Sequence, residues 1–139
     1  MQVEFPFVTQ RANVVDYISR AFAEITLVGE VNKITEWFFI DSGADVSLIT
    51  RSMGEVLGFK LKEGEEIKQL VGVGIGTIPY VLRKVKMKIG EMEFDARIAW
   101  SLVEDAPLVL GRLDVFDKFD ILFKEREGKV IFTDKEIRM

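Results

Sequence analysis

A mainly β fold is predicted by three features of the chain: apolar runs of strand length, glycines that punctuate them, and only brief stretches of helical spacing. Residues 22–28 (Phe-Ala-Glu-Ile-Thr-Leu-Val) roughly alternate, and Gly29 followed by Val31-Asn32-Lys33 marks a turn. Residues 34–40 are apolar enough to lie in the middle of a sheet, with Trp37, Phe38, Phe39 and Ile40 in succession. A polar, glycine-containing interruption at 41–45 precedes further strand character at 46–50. Ser52 as N-cap, Glu55 three positions on and Gly58 as stop predict a brief helix. Residues 67–90 read as a long hairpin with a glycine-rich tip (Gly72, Gly74, Gly76), and 92–100 as the next strand beyond the turn at Gly90-Glu91. The short apolar run 108–110 is stopped by Gly111. Leu113, Phe116 and Phe119, three apart, predict a single helical stretch. Residues 119–132 close the chain as a hairpin about Glu127-Gly128. Ahead of the first strand, residues 1–21 are expected to form an N-terminal arm, with 14–23 read as a short helix or part of that arm.

The composition narrows the chemistry. The 139 residues match about one domain, and 48% hydrophobic with 30% charged residues is a globular balance. The net charge is −4 with both signs interspersed, so no basic stripe awaits phosphate and nucleic acid is not an expected partner. Cysteine and histidine are both absent. Disulfides, thiolate metal sites, Ser-His-Asp and Cys-His mechanisms and the usual nitrogen ligands of zinc are therefore excluded. Acid–base work near neutral pH falls to carboxylates, Lys or Tyr, and neither a metal nor a cofactor is expected. The start Met1-Gln2-Val3-Glu4-Phe5-Pro6-Phe7 lacks the charged opening and apolar stretch of a secretory signal, and the apolar runs are too short to span a bilayer. A cytoplasmic location without a membrane partner is the resulting expectation.

One segment has the makings of a reactive site: Phe39-Ile40-Asp41-Ser42-Gly43-Ala44-Asp45. It sets a carboxylate at the end of an apolar strand, where an unpaired charge is costly. Gly43 permits a tight turn whose N–H groups can point at that carboxylate, Ser42 can satisfy neighbouring backbone, and Ala44 leaves room for an approaching group. Taken alone, the same residues describe better a strand that ends in an Asx turn. The glycine-rich stretch Gly72-Val73-Gly74-Ile75-Gly76 is no phosphate loop, because Thr77-Ile78-Pro79-Tyr80-Val81 follows where a helix N-terminus would be needed. Glycines with apolar residues between them suit a mobile cover over a peptide groove.

About 70 positions after Asp41-Ser42-Gly43 comes Pro107-Leu108-Val109-Leu110-Gly111-Arg112, two apolar residues before a glycine. With the triplet, the glycine-rich hairpin tip at 70–77 and this second motif in that order, the chain resembles the retropepsin family of aspartic peptidases from about residue 25 to 123. The resemblance implies a closed, barrel-like acid-protease half-fold with a flap hairpin and one or two short helices. One retropepsin-like domain would then span 1–139, with a core at 22–123 and the C-terminal hairpin at 119–132. It also implies a homodimer in which each chain supplies Asp41 to a shared pair of carboxylates that hydrolyses peptide or protein substrates. Ser42 would brace the two active-site loops across the two-fold axis, and Gly43 would offer its backbone to substrate. Substrate would further meet Ala44, Asp45, the flap residues Val73, Gly74 and Ile75, Val109, and Arg112, which would pair with Asp45. The chain departs from viral members in its complete C-terminal hairpin and its N-terminal segment. A catalytically silent peptide-binding or assembly module is the alternative that retention of Asp41, Ser42 and Gly43 disfavours.

Overall fold

Strands form where apolar side chains recur at period two, and two faces of one barrel account for most of that recurrence. The computed structural model describes residues 1–72 and 76–134. In chain order these contain β1 (Gln2–Pro6), β2 (Val8–Arg11), β3 (Tyr17–Arg20), β4 (Phe22–Val28), β5 (Lys33–Ile40), β6 (Ser47–Ile49), helix α1 (Arg51–Val56), β7 (Lys68–Gly72), β8 (Gly76–Ile89), β9 (Met92–Ser101), β10 (Val109–Leu110), β11 (Phe119–Lys124), a 3-10 turn (Glu125–Glu127) and β12 (Lys129–Asp134). The strands are joined in the order β4-β5-β10-β6-β9-β8, and β4 pairs again with β8, so six strands close on themselves. Strand β7 extends the sheet from β8 outside the closed ring. The mainly β, barrel-like class expected from the sequence is the one observed.

Alternation sorts side chains to the barrel's two faces. Ile25, Leu27, Phe38, Ile49, Val85, Met87, Ile98, Trp100 and Leu110 fill the interior. Residues between them in sequence, Leu48, Ala99 and Val109, join Val46 and Ile78 in a smaller cluster on the other face, with Leu70 and Tyr80 against it. A second sheet, β1-β12-β11, covers part of the barrel. Its contact is largely aromatic: Phe5, Phe132, Phe119 and Phe94 meet in sequence at centroid separations of 5.7, 5.5 and 5.7 Å with tilted or edge-on rings. Among the described residues, strands β2 and β3 pair only with each other. Among the described residues, no helix is long and apolar enough to cross a membrane.

Three expectations need correction. Residues 1–21 are not an arm throughout: β1 is a strand of the terminal sheet, and of the two alternatives for 14–23 the helix does not form, since β3 returns along β2. Helix α1 is capped by Thr50, whose hydroxyl accepts from the Met53 amide at 3.3 Å, two positions before the predicted cap. Ser52 lies inside the first turn, where its amide and hydroxyl donate to Glu104 at 2.9 and 2.6 Å. Finally, residues 113–118 form successive turns rather than one helix. Asp114 interrupts the helical path at φ 62°, held there by Arg97, which donates through its amide, Nε and Nη2 at 2.9, 2.9 and 3.0 Å. The C-terminal hairpin does form, and Gly128 at φ 66° supplies the left-handed residue of its turn.

Candidate active site

The site is built where two strands from distant parts of the chain run parallel. Strand β10 lies between β5 and β6, parallel to β5 and antiparallel to β6. The Phe39 amide donates to Leu108 O at 3.1 Å, and the Asp41 amide to Leu110 O at 3.0 Å. Asp41 is thus fixed at the exact residue where β5 leaves the barrel, half-buried, with Ile40 buried behind it. The loop then folds back on its own carboxylate. The Gly43 amide donates to Asp41 Oδ1 at 2.9 Å, and the Ala44 amide to Asp41 O at 3.1 Å. The first bond fixes the direction of the carboxylate and the second closes the turn beneath it.

The second motif grips the far side of the loop. Arg112 and Leu113 donate their amides to the carbonyls of Ala44 and Asp45, both at 2.9 Å. Gly111 passes so close that a Cβ there would stand 2.5 Å from the carbonyl carbon and oxygen of Val46. Its amide donates to the buried Ser47 hydroxyl at 3.0 Å. Glycine is needed here for approach, not for an unusual φ. Ser47 escaped sequence reading because a lone serine in the apolar run Val46-Ser47-Leu48-Ile49 carries no pattern of its own.

The structure brings together Asp41, Ser42, Gly43, Ala44, Asp45, Val109 and Arg112, from two segments about 70 positions apart. Ser42, Gly43 and Asp45 are exposed and Ala44 is half-buried. Val109 packs with the outer-face cluster under β7 and β8. The Asp45–Arg112 ion pair is not formed among the described residues. Arg112 Nη1 instead donates to Ser42 O at 3.2 Å, and its guanidinium lies over the Phe116 ring, 4.9 Å from the centroid. Both charged residues are exposed, where an ion pair would contribute at most about 1 kcal/mol. A stacked aromatic and a carbonyl acceptor are a sufficient alternative. Val73, Gly74 and Ile75 lie outside the described residues; the arms that carry them pair through Gly72 and Gly76. No group of three metal-ligating side chains occurs among the described residues.

This arrangement of a closed barrel with a strand threaded beside the Asp41 loop has counterparts among solved structures. The crystal structure of a retropepsin-like aspartic protease from Rickettsia conorii superposes with a TM-score of 0.62, covering 94% of this chain and 98% of that one at 16% identity. The fold is retropepsin-like. EIAV protease, solved in complex with the inhibitor HBY-793, is similar with a TM-score of 0.54, over 70% of this chain and 86% of its own at 20% identity. No protein-family model and no curated protein matches the chain. The retropepsin-like fold therefore rests on three-dimensional likeness, with few identical residues behind it.

Proposed function

We propose that the chain is an aspartic endopeptidase that acts as a homodimer, with one Asp41 from each copy forming the reactive pair. The observation that carries this reading is the placement of Asp41: a half-buried carboxylate at a strand end, aimed by a loop gripped from both sides, on a retropepsin-like fold.

One carboxylate cannot be ionised and protonated at the same moment, as base-assisted attack of water with acid assistance at the carbonyl oxygen requires. Two at hydrogen-bond distance share a proton, because joint ionisation is unfavourable, and they titrate as a pair. The ionised member takes a proton from water as that water attacks the peptide carbonyl. The protonated member donates to the carbonyl oxygen as the centre becomes tetrahedral. Proton return to the amine nitrogen then accompanies C–N cleavage. Ser42 steadies the two loops against each other, and the Gly43 backbone, Asp45 and Arg112 line the path of an extended peptide. The hairpin of β7 and β8 covers that path from the opposite side.

The test is cleavage of a peptide library by the wild type and by Asp41→Asn, with and without a statine-type inhibitor, whose hydroxyl mimics the tetrahedral centre. Inhibitor-sensitive cleavage that Asn abolishes is expected. Cleavage that survives the Asn substitution overturns the mechanism, and a wild type that binds peptides without cutting them supports the silent-module alternative.

A further inference from the structure

The hairpin at residues 8–20 leaves its apolar side chains without cover from the rest of the chain. Between residues 9 and 20 no side chain is buried, and Val14, Val15, Tyr17 and Ile18 are 95, 53, 63 and 38% exposed. The concave face of the hairpin, about 330 Å³, is lined by hairpin residues alone. What holds it is its own ladder, a contact between Thr9 Oγ1 and Ser19 Oγ at 3.0 Å, and the Ala12 amide on Asp16 O at 3.3 Å. A lone two-stranded hairpin is marginal in water, so an apolar one calls for a surface to lie on.

Both of its ends are anchored. The Phe7 amide donates to Gly128 O at 2.8 Å on the terminal sheet, and Ala21 O accepts from the Ile40 amide at 3.0 Å. Ile40 directly precedes Asp41, and the Arg20 guanidinium lies 5.7 Å from the centre of the Phe39 ring. The hairpin therefore leaves the barrel beside the candidate active site. A two-fold axis that sets Asp41 against its twin also brings the two hairpin bases close, and a two-fold interface uses the same surface on both copies.

We infer that the 8–20 hairpin is a dimerisation arm whose apolar tip, Val14, Val15, Tyr17 and Ile18, packs on a second copy of this chain. The inference rests on the proposed peptidase reading only in requiring that two copies meet at Asp41. In this arrangement terminal strands β1 and β12 stay within their own chain, and an internal hairpin takes the role of embracing the partner. Loss of the arm leaves each barrel folded and each Asp41 without its twin.

The experiment compares sedimentation of the wild type, Asp41→Asn and the triple variant Val14→Ser/Val15→Ser/Tyr17→Ser across a concentration series, with far-UV circular dichroism to check folding. The wild type and Asp41→Asn are expected to be dimers. The triple variant is expected to keep its spectrum and dissociate with a Kd at least tenfold higher. Because the chain has no cysteine, Val14→Cys supplies a single thiol, whose maleimide labelling should slow as the dimer forms. A wild type that is monomeric throughout, an unchanged Kd in the triple variant, or Val14→Cys labelling at the same rate in monomer and dimer overturns the arm. Arm-dependent dimerisation without peptide cleavage leaves the arm standing and removes the peptidase reading.

Discussion

The loop at 41–47 and the hairpin at 8–20 are neighbours in space and opposites in construction. The loop is gripped by six backbone amides, three of its own (Asp41, Gly43 and Ala44) and three from 111–113, with Gly111 pressed against Val46. The hairpin has its own ladder and little else. A carboxylate that must meet a water and a carbonyl within a fraction of an ångström needs a rigid mount. A surface that must close on another molecule needs apolar area and an accessible position instead. The barrel supplies the first within one chain, and the second copy would supply cover for the other.

Substitutions should separate the two regions. The largest effect is expected at Asp41: Asn keeps the shape and removes the shared proton, so cleavage should fall by at least about 10²-fold while the thermal midpoint changes little. A comparable loss of folding stability with activity would instead make Asp41 a structural residue. Gly111→Ala comes next. Its methyl group has no room beside the Val46 carbonyl, and denaturant unfolding should show a loss of about 1–3 kcal/mol; an unchanged midpoint would mean that the grip is loose. Asp114→Asn removes the carboxylate that receives three donors from Arg97, with an expected loss of about 1–3 kcal/mol. Those donors hold the Asp114 carboxyl at about 2, below the ordinary 3.8. A depressed carboxylate stabilises the fold fully above its unfolded value, so this contribution is present above about pH 4 and is lost as pH falls through 2. Wild-type stability should therefore drop more than that of Asp114→Asn over this interval. The smallest effect is expected in the hairpin, where Val14→Ser should shift monomer stability by no more than about 0.5 kcal/mol. A larger shift would show that the hairpin packs on its own barrel.

The same contrast explains what the sequence disclosed. Strands β4 and β9 could be read because a buried face imposes alternation on their side chains, and β5 because its second half is apolar throughout. Strand β3 could not, because every residue of Tyr17–Arg20 is exposed and no buried face imposes alternation. Leu113, Phe116 and Phe119 have helical spacing, yet Arg97 draws Asp114 into a left-handed conformation that spacing does not encode. At the site, Asp41 and Gly111 stood out because strand ends and close approaches demand particular residue types. The direction of Arg112 did not, since an exposed guanidinium settles among nearby acceptors and rings rather than by sequence position.

Strand β10 has a consequence for the life of the chain before it is folded. The Asp41 amide has its acceptor, Leu110 O, beyond the intervening hairpin and strands in sequence, on β10 beside β5. Pairings between such remote segments form late, because the loop between them must first be closed. A nascent or partly denatured chain thus carries the aspartate without the mount that aims it. On the proposed peptidase reading, this delay is a safeguard: the blade is set only once the handle is whole.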